Sequence, residues 1–205
     1  MGRPSRESVM TALFNKLVAS VQTSFTADTL ADSSLLSNPS SAALFVGLPV
    51  FGGSVPRGAV IASLSPLTLS LPATANALAV PLTTGFLTFS RRFKHWSQVT
   101  AQPALFLRDD NEELEYINTI MQRQTIKAEV WIYSNAGQNP DAVPAIALNN
   151  LLDAVQSTFN PDGPRGIFTL GGLVEWCRLS GKIEKEPGDI SGQAIAVADV
   201  EITVP

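Results

Sequence analysis

Residues 33–90 carry one charged side chain, Arg57, and are punctuated by prolines at 39, 49, 56, 66, 72 and 81. Such a block does not suit a membrane span, because Pro or Gly interrupts every apolar run before it reaches the roughly 18–20 residues a spanning helix needs. Nor does it read as disorder. Disordered segments are rich in charge and poor in aliphatics, whereas Leu, Val and Ala abound here. Short strands separated by turns remain, with 43–51, 59–64, 67–71, 78–82 and 86–89 as candidates between Gly, Pro, Ser and Asn positions. Uncharged strand edges left free in water invite aggregation. The block therefore reads as an arm that packs on neighbouring subunits, with a small closed barrel that covers its own edges as the alternative.

The flanking sequence has a different texture. Val9, Leu13, Phe14, Leu17, Val18 and Val21 recur at three- and four-residue spacing, which predicts a helix capped by Ser5 or Ser8 and ending near Phe25. Beyond the block, 103–107 reads as a short buried strand and 109–115 as an acidic turn. Residues 124–133 alternate, with Ile126, Ala128, Val130 and Ile132 on one face and Lys127, Glu129, Trp131 and Tyr133 on the other. A second helix is expected from a cap at Asp141 to Phe159, with Val143, Ile146, Ala147, Leu151, Ala154, Val155 and Phe159 facing inward and the polar Asn150 among them. Residues 160–164 end it. Two strands close the chain, 173–184 and 193–204, the last apolar on both faces and so expected to be covered on both.

These elements predict an α+β fold with core order α-β-β-α-β-β: a four-stranded, mainly antiparallel sheet with helices on one face. Residues 1–26 and 89–205 form that core, and 27–88 an inserted β-rich, charge-poor arm or subdomain.

Chemistry is sparse. One histidine, His95, and one cysteine, Cys177, cannot assemble a Cys/His metal site or a disulfide within one chain. Cys177 sits in an apolar run and reads as an inert buried thiol, consistent with synthesis in a reducing cytoplasm. No secretory leader pattern follows Met1. Leu170-Gly171-Gly172-Leu173 lacks the Lys-Ser/Thr of a phosphate loop, and no Gly-x-Ser-x-Gly elbow occurs. Asp109, Asp110, Glu112, Glu113 and Glu115 read as a solvated face. No catalytic, cofactor-binding or metal residue is expected, and the expected role is not enzymatic.

Charged residues are 16% of the chain and apolar residues 45%. Charge that far below the usual quarter favours a subunit that hides surface against partners. A net charge of -4 argues against a protein that coats nucleic acid through its overall field. The basic segment Arg91-Arg92-Phe93-Lys94-His95-Trp96 could grip phosphate and stack on a base. The reading preferred here is a subunit interface, where Arg and Trp are enriched. Arg91 and Arg92 would form salt bridges across the boundary, Trp96 would anchor the strand end, and Lys94, Arg57, Phe51 and Phe86 would complete the contact.

Several segments carry a resemblance. Arg6-Glu7-Ser8-Val9-Met10-Thr11-Ala12-Leu13-Phe14 resembles the opening of the tail-completion or tail-terminator-type proteins of proteobacterial phages and prophages. The likeness resumes at Ser90-Arg91-Arg92-Phe93-Lys94-His95-Trp96 and Gln102-Pro103-Ala104-Leu105-Phe106. It continues in Asn139-Pro140-Asp141-Ala142-Val143-Pro144, in 147–154 and in Thr169-Leu170-Gly171-Gly172-Leu173-Val174. The uncharged block departs from that pattern. The resemblance implies a structural virion protein, made in the host bacterial cytoplasm, that forms a homo-oligomeric ring of six copies at the head-proximal end of a tail. Its implied partners are the tail tube and the neck or head-completion proteins, with genome DNA passing the lumen without specific binding and no membrane involved. Alternatives are a neck adaptor of a short-tailed phage and an attachment or decoration module built on the β-rich block.

Overall fold

The computed structural model describes residues 3–40, 44, 46–116, 122–135, 145–188 and 191–204. Helix α1 (Arg6–Val21) starts where Ser5 Oγ accepts the Ser8 N–H at 3.1 Å. It buries Val9, Met10, Leu13, Leu17 and Val21. It stops four residues short of the expected end and passes directly into β1 (Gln22–Thr29), where Phe25, Ala27 and Thr29 are buried at period two. Thr23, Thr26 and Phe25 favour an extended chain, and an antiparallel partner, β6 (Ala77–Gly85), is available along its length. The closest approach is at the base of that pair. Gly85 has φ +92°, and a Cβ there would lie 1.8 Å from the Val21 carbonyl oxygen.

The uncharged block and β1 together build a small sheet in the order β2-β1-β6-β3, with β2 (Leu36–Ser37) and β3 (Val50–Phe51) as two-residue borders. A separate hairpin joins β4 (Ile61–Leu64) to β5 (Leu67–Leu69). Phe25, Ala27, Leu36, Val50, Ile61, Leu67, Leu69, Val80 and Leu82 form one buried cluster between them. The strand expected over 43–51 shrinks to Val50–Phe51. The one expected at 86–89 divides: Phe86 enters the main core and β7 (Thr88–Ser90) joins the larger sheet.

That larger sheet runs β10 (Trp176–Glu186), β11 (Gln193–Val204), β9 (Gln122–Asn135), β8 (Ala104–Tyr116), β7. All pairings are antiparallel except β7 with β8. The fold is thus mixed α and β, mostly strand, with an antiparallel sheet and two helices among the described residues. Helix α2 (Ala145–Thr158) packs with α1 over one face, where Leu105, Leu107, Ile126, Ala128, Val130, Ile132, Ala194, Ala196, Val200 and Ile202 meet both helices. Its inward stripe is Leu148, Leu151, Leu152 and Val155, while Ile146 is exposed. Asp141 and Val143 lie outside the described residues. Burial of β11 is complete on the helix side and partial on the other.

The acidic segment is not a turn. Residues 109–115 continue β8 past a bulge between Asp109 and Glu112. Cross-strand ion pairs of Glu113 with Lys127 and Arg108 with Glu129 compensate the poor strand propensity of carboxylates.

Candidate interaction surface

The link between β7 and β8 crosses the sheet face that the helices leave open. There Ala104, Phe106 and Tyr133 form a small buried cluster, with Val99, Trp131 and Ile195 against it. Phe93 closes the cluster from above, its ring centroid 4.8 Å from Trp131 and 6.2 Å from Phe106 in edge-to-face geometry. The Arg108 guanidinium lies over the Phe93 ring, 5.8 Å from its centroid. Tyr133 Oη donates to the Lys94 carbonyl at 3.1 Å, and burial pushes the Tyr133 phenol up from its ordinary range. Phe93 therefore anchors this segment, and Trp96 sits in an exposed single 3-10 turn, Trp96–Gln98. The sequence signal was present: Phe106, Trp131 and Tyr133 share a face that needs cover.

Arg91 reaches the other way. Its guanidinium donates to Glu7 at 2.5 Å and to Asp109 and Thr11 Oγ1 at 3.3 Å each, tying the segment to α1 and β8. The bond to Glu7, opposed by partial burial and helped by Asp109, raises the Arg91 pKa, and the same bond holds the Glu7 carboxyl below its usual range. These salt bridges lie within one chain. Arg92 and Lys94 are exposed and have no ion pair among the described residues. Phe86 is fully buried, 5.8 Å from Phe89, which makes it part of one chain's own core. Phe51 is half-buried on β3, and Arg57 is exposed without an ion pair among the described residues.

A second surface was not singled out by residue in the sequence. Large apolar side chains that stay exposed concentrate on the small sheet and its loops: Leu30, Leu35, Val46, Leu64, Leu71, Leu78 and Leu87. Leu78 is 84% exposed and Leu30 60%, while residues 33–90 hold Arg57 as their one cation. Asp28 braces this end. Its carboxylate accepts the Ala79 N–H and an Asn38 Nδ2–H, each at 2.7 Å, and the former bond leads in lowering its pKa. Ala79 and Asn38 both have positive φ, +48°.

Among the described residues no group of three or more His, Cys, Asp or Glu side chains converges as a metal site. Burial pushes the Cys177 thiol far up, so the thiolate is scarce at neutral pH. No described helix is long and apolar enough to cross a membrane. None of the known protein-family models matches this chain, and no curated protein is significantly similar to it.

Proposed function

We propose that this chain is a structural subunit of a tailed-phage particle, assembling with copies of itself into a ring at the neck or the head-proximal end of the tail. The observation that carries this reading is the small sheet with its apolar, nearly charge-free exterior. Exposed apolar side chains concentrated on one part of a molecule mark a site of protein association. The segmental resemblance to tail-terminator-type proteins supplies the class of particle, and a ring of six copies is its implied stoichiometry. In this role the chain turns over no substrate. It ends the tail tube, meets head-completion proteins, and lets DNA pass without holding it.

Native mass spectrometry of the full-length protein, with negative-stain imaging of the same sample, tests the reading. A closed ring is expected, and Leu30→Asp/Leu78→Asp is expected to weaken it. A wild type that stays monomeric at tens of micromolar, alone and with purified tail tubes, refutes it. The separate buried cluster of the small sheet favours a second reading, an attachment module. If residues 22–85 fold alone and bind a host-surface glycan, that reading gains.

A further inference from the structure

The open face of the larger sheet is stepped. Strand pairing fixes two of its rows across β8, β9, β11 and β10: Ala104, Tyr133, Ile195 and Glu186 in one, Phe106, Trp131, Val197 and Glu184 in the next. Residues directly opposite in a ladder share a side of the sheet, so Glu184 and Glu186 lie on the open side, past the bulge of β10. Over the β8 and β9 half of these rows runs the β7–β8 link. Phe93 holds it against Trp131 and Phe106, and Tyr133 Oη donates to its Lys94 carbonyl. On the β11 and β10 half, Ile195 and Val197 are half-buried while Glu184 and Glu186 are exposed. One half of the face is thus raised above the other by a chain segment.

The two halves also differ in charge. Residues 33–108 contain no Asp or Glu. On the link, Arg92 and Lys94 are exposed and have no ion pair among the described residues. On the low half, Glu184 and Glu186 likewise form no ion pair among the described residues. Asp199, the next residue along β11 on that side, has its pKa raised by desolvation first and then by Glu129, Asp110 and Glu184. Cations brought to this half would meet carboxylates that their own chain leaves uncompensated.

A face that is high and basic on one half, low and acidic on the other, is complementary to a second copy of itself. A two-fold axis lying in the face, parallel to the strands, reverses the strand order of one copy against the other and keeps the rows level. The raised half of each copy then covers the low half of its partner. Arg92 and Lys94 come over Glu184 and Glu186, the exposed edge of Phe93 comes over Ile195 and Val197, and each contact is made twice. One row further, Glu129 and Asp199 of the two copies approach as like charges, offset by Arg108, which lies 3.3 Å from Glu129 within its own chain. Matched potentials of this kind select the partner and fix its orientation.

We propose that two copies of this chain pack face to face across the open side of the larger sheet, the β7–β8 link of each seated on the β11–β10 half of the other. The contact closes on two copies, so it goes beyond the ring reading and stands or falls apart from it. The test compares full-length wild type with Arg92→Glu/Lys94→Glu and Glu184→Lys/Glu186→Lys by native mass spectrometry at one concentration, with circular dichroism to show that each is folded. Loss of a two-fold contact should halve the number of copies in the assembly in either variant alone. Their equimolar mixture should regain the wild-type number with the variants present one to one, because each reversed link then meets a reversed β10. If a variant fails to fold, zero-length amine–carboxylate cross-linking of mixed heavy and light wild type should join Lys94 to Glu184 or Glu186 between copies, and absence of that link overturns the pairing. A folded variant that keeps the wild-type number, or a mixture that fails to recover it, overturns the pairing and leaves a ring intact. A wild type that stops at two copies, with either variant monomeric, sustains the pairing and refutes the ring. A wild type that is monomeric throughout overturns both and assigns the open face to a different protein.

Discussion

Phe93→Ala tests whether one aromatic ring holds the β7–β8 link on the open face of the sheet. Phe93 keeps 38% of its surface exposed, so about 60% of the 150–250 Å² an aromatic side chain can bury is covered, on the order of 100–150 Å². At about 25 cal/mol per Å² that transfer contributes ~2.5–4 kcal/mol, an upper estimate because the unfolded chain already hides part of its apolar surface. Edge-to-face contact with Trp131 adds roughly 0.5–1.5 kcal/mol. A loss of about 2.5 kcal/mol is the working figure, equivalent to a fall in Tm of about 5–10 °C for a chain of this size. Because the ring anchors a link and not the main core, the same energy also favours local opening. The open population should rise by one to two orders of magnitude, as judged from about 1.4 kcal/mol per tenfold. Trypsin has sites at Arg91, Arg92 and Lys94, so limited proteolysis under native conditions reads that opening directly, alongside urea melts. A Tm within about 1 °C of wild type and an unchanged cleavage rate would show that the cluster stands without Phe93.

Gly85→Ala should cost at least about 3 kcal/mol, measured as a lower urea midpoint, since its Cβ would overlap a backbone carbonyl and its φ is left-handed. Asp199 has a raised pKa, first through desolvation and then through Glu129, Asp110 and Glu184. Its ionisation therefore opposes folding: stability falls as pH rises from the unfolded value near about 4 through the higher folded one. Asp199→Asn should raise Tm at pH about 7 and lose that advantage below pH about 4. Asp28 has the opposite sign: its depressed folded pKa makes its contribution complete above pH about 4 and lost as pH falls through the folded value, so Asp28→Asn should flatten the acid limb of the Tm–pH curve. Cys177 should resist a disulfide-forming thiol reagent in the folded protein and react promptly in denaturant, and fast reaction in the native state would contradict its burial.

Much of this architecture is legible from periodicity alone. The faces of β9 follow from alternation at 126–133, and α1 follows from its three-four spacing, because burial against a core imposes both patterns. What periodicity does not carry is tertiary override. Residues 109–115 resemble a turn by composition, yet β9 supplies a full ladder and two cross-strand ion pairs. Gln22 to Phe25 extend the helical pattern by spacing, but a waiting partner strand draws them into β1. At the site, the segment 91–96 stands out as basic and aromatic, while the roles within it depend on which face it crosses. That is why Phe93, not Trp96, is the anchor, and why the guanidinium of Arg91 is engaged inside its own chain.

The rung between Gln22 and Gly85 carries a consequence for how this chain can be built and rebuilt. The backbone leaves the main body at one side of that rung and returns at the other, as next-door neighbours across a single ladder step. Between them the chain touches the main body once more, where Leu48 is buried in the helix-side core and Asn150 Nδ2 donates to the Gly47 carbonyl at 3.2 Å. Length added elsewhere in the segment leaves the path from α1 to β7 unchanged, because that path is fixed by the single rung. A tight turn put in place of the whole segment would shorten nothing in the main sheet but would uncover the α2 surface that Leu48 fills.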